Sequence, residues 1–236
     1  MKAVAVILAS GSGERFDAKN TPKHLTLILE LPIIIWTLKT VIKSKIFSSI
    51  VVVTRNQDIA VTEKVIKKYF IEDSTLIEVV KGSNERMKSF FFGLEHLNNT
   101  NLLRKKTIIG LFDANRPFTP TEQIFDLYKS AIKFKCSCPV RPVVNGIARV
   151  DEGKIMNVPD KTKYVEYVTP EFIELDKFDK ARKKNNQTLS SLVEYALSIK
   201  INPNTCNASI LNSKLTFPED KTYLEGLAID NNLKKD

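Results

Sequence analysis

The feature that most constrains the fold is a regular alternation of apolar, β-branched runs with helical patterns. The predicted strands lie at residues 3–8, 50–54, 75–80 and 107–112. Helical spacing of apolar residues fills the intervals and the region after them, at 32–43, 59–69, 87–97 and 119–134. Strands that alternate with helices pair in parallel, because each helix returns the chain to the same end of the sheet. We therefore predict an α/β fold with a mostly parallel, doubly wound sheet, whose ligands bind where the strands' carboxyl ends meet.

The pattern changes after Cys136. Residues 139–158 predict two short strands around a turn at 151–154, which is a hairpin inserted into the sheet. Helical spacing returns at 170–183 and 189–195. No internal repeat, low-complexity tract or linker interrupts the chain. We therefore predict one domain over 1–236, with a protruding arm at 139–165.

Composition narrows the partners that the chain can have. The net charge of +9 comes from lysines and arginines spread along the chain, without a basic run interleaved with aromatic residues. We predict no nucleic-acid binding and expect part of the charge to line a pocket for a triphosphate. The sequence holds no uncharged apolar stretch of about 18 residues, so we predict no membrane span. Three cysteines without framework spacing favour a reducing, cytoplasmic compartment.

A glycine loop follows the first predicted strand directly, as Gly11-Ser12-Gly13-Glu14-Arg15. Glycines let the backbone approach a phosphate, whose oxygens then bind free N–H groups. Arg15 and Lys23 would add positive charge. The loop lacks the third glycine of the dinucleotide fingerprint and the G-K-[ST] ending of a P-loop. Taken alone, it has the ordinary alternative of a surface turn.

Three later sites carry the remaining candidate chemistry. Asp113 ends a buried strand, where a carboxylate is well placed to hold Mg²⁺. Arg86 and Ser89 lie one turn apart at a helix start, so that both are expected to face one ligand. Lys214 lies in a short extended segment before a capped helix. Each has an ordinary alternative by itself, as a turn aspartate, an exposed arginine with a capping serine, or a solvated lysine.

Together these sites resemble the cytidylyltransferases that make CDP-alcohols, a group that includes 2-C-methyl-D-erythritol 4-phosphate cytidylyltransferase and ribitol-5-phosphate cytidylyltransferase. The resemblance runs from about Ala3 to Leu227. Its motifs occur in the family's order and spacing, as L-A-S-G-S-G-E-R, P-K, G-S-N-E-R-M-K-S, F-D-A-N-R-P-F, V-T-P-E-F and N-S-K-L-T-F-P-E-D. Any one of these motifs is weak evidence, whereas six in register are strong evidence.

The resemblance implies a Rossmann-like fold, a homodimer formed through the arm, and transfer of CMP from CTP with Mg²⁺ and release of pyrophosphate. The implied catalytic residues are Arg15, Lys23 and Lys214, which would hold the triphosphate and its α-phosphate. The implied nucleotide-binding residues are Ala9, Ser10, Gly11, Gly13, Gly82, Arg86, Ser89 and Asp113, with Asp113 also at the metal. The implied acceptor-binding residues are Arg116, Lys161 and Thr169.

Departures from the family pattern cluster on the acceptor side. An R-D-T segment reads Arg141-Pro142-Val143, an arginine of the arm is replaced by Lys161, and an acidic T-D segment reads Gln187-Thr188-Leu189. Two further departures lie near the nucleotide, at His24 and Ser83. We therefore predict the same reaction on an alditol phosphate such as ribitol 5-phosphate. The alternatives are 2-C-methyl-D-erythritol 4-phosphate, another phosphorylated acceptor, or a non-catalytic nucleotide-binding paralogue.

Overall fold

Eight of the strands build one sheet, with helices on both faces. The computed structural model describes residues 2–11, 22–71 and 76–233. Its strands are β1 (Ala3–Leu8), β2 (Leu27–Ile28), β3 (Leu31–Pro32), β4 (Phe47–Thr54), β5 (Ile77–Lys81), β6 (Ile108–Asp113), β7 (Cys136–Pro142), β8 (Arg149–Asp151), β9 (Lys154–Asn157), β10 (Val165–Tyr167), β11 (Glu171–Glu174) and β12 (Asn204–Asn207). Its helices are α1 (Ile33–Lys43), α2 (Ile59–Tyr69), α3 (Arg86–Asn99), α4 (Thr121–Phe134), α5 (Leu175–Lys184), α6 (Leu192–Ser198) and α7 (Asp220–Asp230).

The sheet confirms the α/β prediction and defines the edge at which a ligand would bind. Its strand order is β10-β7-β11-β6-β1-β4-β5, with β12 beside β7. β1 pairs in parallel with β4 and β6, and β4 with β5, whereas β11 and β10 run antiparallel to their neighbours. Leu8 lies opposite both Val53 and Asp113 in register. The carboxyl ends of β1, β4 and β6 therefore reach the same level.

Strand β1 shows how the sequence divides the core into two layers. Ala3, Ala5 and Ile7 face a cluster that includes α1, α4 and α7, whereas Val4 and Val6 face a cluster that includes α3, α5 and α6. All five side chains are fully buried. Successive side chains of a strand point to opposite faces, so an uninterrupted apolar run is what a sheet covered on both faces requires.

The predicted helix at 170–183 is wrong at its start, because residues 171–174 form strand β11 and the helix α5 begins only at Leu175. All four residues of β11 are buried between β6 and β7. Phe172 packs in one core layer and Ile173 in the other, which is the period of a strand. Here the place of the segment in the sheet decides its conformation over local helical spacing.

The hairpin predicted within the arm is present as β8 and β9, with Glu152 and Gly153 at its turn. The flanking strands β7 and β10 belong to the central sheet, so the part that leaves the sheet is 143–164. The organisation as one domain with an arm stays a prediction. Among the described residues, none of the helices has the length and apolar character that a membrane crossing needs.

Candidate active site

A cleft of about 410 Å³ lies at the carboxyl ends of β1 and β6. Its wall contains seven of the residues that the sequence assigned to catalysis or nucleotide binding, namely Ala9, Ser10, Gly11, Lys23, Arg86, Asp113 and Lys214. These residues come from strand ends, helix starts and loops that lie far apart in the chain. Gly13 and Arg15 lie outside the described residues.

Asp113, the last residue of β6, is the centre of a charge cluster in the cleft. Its Oδ2 accepts from Lys214 Nζ at 3.0 Å and lies 3.8 Å from Arg116 Nε, and its Oδ1 accepts from Arg86 Nη2 at 3.5 Å. Burial disfavours the charged carboxylate, but Lys214, Arg86 and Arg116 outweigh this and hold the pKa of Asp113 well below its usual range. Asp113 is therefore ionised, and three cations surround one carboxylate where an anion can enter.

Lys23 extends this cationic wall. It begins a short helical turn, and its Nζ donates to the carbonyl of Thr216 at 3.0 Å. Thr216 lies two residues after Lys214, and its N–H donates to Asp220 Oδ2 at 2.6 Å. The start of α7 therefore fixes the segment that carries Lys214 and receives Lys23.

His24 lies beside Lys23 and is buried, although it also reaches the cleft wall. Its Nε2 lies 2.8 Å from Thr62 Oγ1. Burial lowers the pKa of His24 to about 4 and Arg55 lowers it further, whereas Asp58 and a backbone hydrogen bond at Ala9 oppose the shift. The ring is therefore neutral near pH 7 and acts as a packed anchor for the Lys23 turn.

Ser89 does not face the cleft beside Arg86 as expected, because its side chain is fully buried. Its Oγ lies 2.8 Å from Ser10 Oγ, accepts from the N–H of Ser83 at 2.9 Å and donates to the carbonyl of Ser83 at 2.8 Å. Ser89 therefore braces Ser10, which lines the cleft, against the loop that follows β5.

Gly82 lies at this same brace rather than in the cleft wall. A side chain there would bring a Cβ to 2.8 Å from Val53 Cγ1 and 3.0 Å from both Ser10 Cβ and Ser89 Oγ. Only glycine lets the loop after β5 lie this close to β4.

Two of the three predicted acceptor-binding residues, Arg116 and Thr169, lie around Asn212, which is fully buried. Arg116 Nη1 donates to the carbonyl of Asn212 at 2.7 Å, and Asn212 Nδ2 donates to the carbonyl of Thr169 at 2.8 Å. Arg116 Nε and Thr169 Oγ1 are buried without a hydrogen-bond partner in the described structure. Lys161 lies apart in the exposed arm, where its Nζ donates to the carbonyl of Val144 at 2.7 Å. The structure thus joins Arg116 and Thr169 but leaves Lys161 away from the cleft of its own chain.

Sequence reasoning missed several residues of this region. Asn84, Asn115 and Thr216 line the cleft, and Asn115 Nδ2 donates to the carbonyl of Leu215 at 2.7 Å. The position of Asn115 within F-D-A-N-R-P-F could have indicated this role. Glu171, whose carboxylate accepts from Arg86 Nη2 at 3.2 Å, lies within the V-T-P-E-F motif. Sequence reasoning assigned its segment to a helix and gave it no role.

Asp113 is also the one acidic side chain in the cleft wall of the described chain. No group of three or more His, Cys, Asp or Glu side chains that suits a metal ion occurs among the described residues. Mg²⁺ is often held by one or two carboxylates together with substrate phosphates. The donor set therefore fits a Mg²⁺ ion that is shared with a phosphorylated ligand.

Comparison with known proteins agrees with this geometry. The family model of 2-C-methyl-D-erythritol 4-phosphate cytidylyltransferase (IspD) matches residues 3–227. The chain is 25% identical over 226 residues to the protein of that name from Bacillus thuringiensis, covering 93% of this chain and 95% of the relative. It is 24% identical over 220 residues to ribitol-5-phosphate cytidylyltransferase of Lactiplantibacillus plantarum, covering 92% and 94%.

The fold is similar to that of 4-diphosphocytidyl-2C-methyl-D-erythritol synthase from Anaerococcus prevotii. The TM-score is 0.79 at 18% identity, and the match covers 97% of this chain and 96% of that one. The sheet, the cleft at its edge and the family match over nearly the whole sequence agree, and the chain belongs to the 2-C-methyl-D-erythritol 4-phosphate cytidylyltransferase family.

Proposed function

We propose that the protein transfers CMP from CTP to a small phosphorylated alcohol and releases pyrophosphate. The observation that carries this proposal is the convergence of Lys23, Lys214, Arg86 and Arg116 with Asp113 at one sheet edge. An alcohol phosphate is already an anionic nucleophile, so the reaction needs no strong general base. It does require that two anions be held together in line, which is the work of fixed positive charge.

The described residues divide this work in a simple way. Lys214 and Lys23 would bind the triphosphate and stabilise the charge that develops at the α-phosphorus. Arg86, Ser10 and the backbone of Gly11 would hold the nucleoside side, and Arg116 would face the incoming phosphate. His24, which is neutral and bonded to Thr62, supports the Lys23 turn without exchanging a proton.

Asp113 would hold Mg²⁺ together with phosphate oxygens of CTP. When bound there, Mg²⁺ supplies a Lewis acid that neutralises phosphate charge. Lys214 Nζ donates to Asp113 Oδ2 at 3.0 Å, so the carboxylate that would hold the metal also fixes the ammonium group of Lys214.

We propose an alditol phosphate such as ribitol 5-phosphate as the acceptor. The support is the set of departures on the acceptor side, including Pro142 and Val143, together with the relative from L. plantarum. A second candidate, 2-C-methyl-D-erythritol 4-phosphate, is favoured by the family model and the Bacillus relatives. Pyrophosphate release with each of the two compounds as acceptor distinguishes these candidates.

We also propose that the arm pairs with a second copy of the chain. Between β7 and β10 the arm has five apolar residues that are each more than half exposed to solvent, namely Val144, Val150, Ile155, Met156 and Val158. Exposed apolar surface of this kind marks interaction sites in soluble proteins. A Val150→Lys, Ile155→Lys variant should sediment as a monomer where the wild type sediments as a dimer, and a wild-type monomer would refute the proposal.

Pyrophosphate release tests the reaction directly. We expect release from CTP with Mg²⁺ and one of a panel of acceptors that includes both candidates. Lys214→Gln should reduce turnover by roughly two powers of ten, the scale of losing one transition-state contact. Lys135→Gln is the matched control, because Lys135 Nζ makes a similar 2.9 Å contact with Glu174 outside the cleft. Thermal stabilisation by CTP without pyrophosphate from any acceptor would instead indicate a non-catalytic paralogue.

A further inference from the structure

Arg86 is held in the cleft by three separate partners. It is the first residue of α3, and about a third of its side chain remains exposed. Nη2 donates to Glu171 Oε1 at 3.2 Å and to Asp113 Oδ1 at 3.5 Å, and Nη1 donates to the carbonyl of Ser190 at 3.0 Å. Its guanidinium therefore lies between two carboxylates, with the nearer one at Glu171.

Glu171 itself is not part of the cleft wall within the described chain, and only 2% of its surface is exposed. Its second oxygen, Oε2, accepts from the N–H of Val193 at 3.1 Å, in the first turn of α6. One buried carboxylate therefore joins β11, α3 and α6. A side chain that touches Arg86 from behind, without reaching the cavity, acts on a ligand only through Arg86.

The ion pair of Arg86 and Glu171 is better suited to orienting Arg86 for a ligand than to stabilising the fold. Burial raises the pKa of Glu171, and Arg86 and the Val193 N–H oppose that shift, so the charge of Glu171 depends on its partners. A buried ion pair is weak evidence for stability, because desolvation offsets most of the attraction. Fixing an arginine does have another use, since a free arginine side chain has rotamer entropy that is lost when it binds a ligand.

We propose that Glu171 is a positioning residue, which holds the Arg86 guanidinium in the orientation that receives the nucleotide. The inference rests on the proposed function, because the nucleotide role of Arg86 does. Substitution of Glu171 is expected to change the affinity for CTP more than the rate of the chemical step, since Glu171 contacts a residue proposed to bind the nucleotide and lies outside the cleft wall of the described chain.

The test is a double-mutant cycle of wild type, Glu171→Gln, Arg86→Gln and the double variant, with CTP affinity measured by calorimetry and kcat and KM by pyrophosphate release. Glutamine keeps the size of Glu171 but removes its charge. We expect Glu171→Gln to raise the KM and Kd for CTP about tenfold, with kcat and the acceptor KM changed less than about threefold. In the Arg86→Gln background the same change should alter CTP affinity less than about twofold.

Glu174→Gln is the matched control, because Glu174 is a buried glutamate of the same strand that pairs with Lys135 outside the cleft. It should leave the KM for CTP unchanged. Unaltered CTP affinity in Glu171→Gln, or an equal loss in both Arg86 backgrounds, would overturn the positioning role while leaving a normally active wild type. Absence of CTP binding by the wild type would instead overturn the proposed function, and this inference with it.

Discussion

Acid should destabilise this fold through His24. The ring is only 3% exposed, its Nε2 lies 2.8 Å from Thr62 Oγ1, and burial lowers its pKa to about 4 from an ordinary 6.5. Between these two values an unfolded chain binds a proton that the folded chain does not. The free energy of unfolding therefore falls as the pH falls through this window, and the loss is complete below the pKa of the folded state.

The size of the effect follows from the separation of the two pKa values, about 2.5 pH units. Each unit corresponds to about 1.36 kcal/mol, so the full loss is about 3.4 kcal/mol of unfolding free energy. About 2 kcal/mol of this is lost by about pH 5, where the unfolded histidine is almost fully protonated and the folded one is still mostly neutral.

Urea denaturation of the wild type and His24→Gln at about pH 7.5 and about pH 5 measures this contribution. Glutamine has a side-chain amide, which can hydrogen-bond to Thr62 in place of the imidazole and cannot titrate. The wild type should lose about 2 kcal/mol more than the variant over this range. His96→Gln removes the other histidine, a third of whose side chain is exposed beside Glu78, and controls for the loss of a histidine as such. Parallel pH curves for the wild type and His24→Gln would refute the reasoning.

Two other substitutions test how the cleft is supported. Gly82→Ala would place a methyl group within 2.8 Å of a side-chain carbon of β4, so we expect a loss of about 1–3 kcal/mol in chemical denaturation together with a raised KM for CTP. Gly146→Ala should change neither quantity, because in the described structure its added Cβ would have no heavy atom within 4 Å apart from the adjacent residues. Asp220→Ala removes an acceptor of two backbone N–H groups, at 2.6 and 2.8 Å, and should cost about 1 kcal/mol. Turnover should fall with it because the segment it fixes carries Lys214, and unchanged turnover would count against that link.

The parallel half of the sheet could be predicted because its signals are local. Residues 3–8 form a buried strand as predicted, and residues 59–69 form the predicted helix. In both elements, the spacing of apolar residues within the segment itself indicates which faces are buried. The strand at Glu171–Glu174 could not be predicted this way, since four residues are too few to outweigh the helical spacing that follows them.

The candidate site divides along the same line. The cleft wall contains the predicted residues Asp113 and Lys214, whose motifs stand at the end of a strand and before a helix, where the topology brings them to one edge. Lys23, predicted from its place downstream of the glycine loop and from the family resemblance, lies in the same wall. Ser89 lies on the predicted helix, but it is buried against Ser10 and does not face the cleft. The spacing of Arg86 and Ser89 predicts that they are neighbours on the helix, but it does not indicate which of them is buried.

Glu171 shows why the supporting contacts stayed hidden. Its partner Arg86 lies 85 residues earlier, and the two meet only because β11 reverses direction and enters the sheet between β6 and β7. In the register of that antiparallel pair Glu171 lies opposite Leu111, two residues before Asp113. The reversal therefore sets a second acid beside the first, with one guanidinium between them. Sequence motifs indicate which residues can bind phosphate. The contacts that hold those residues in place depend on the strand order of the whole sheet, which no single segment predicts.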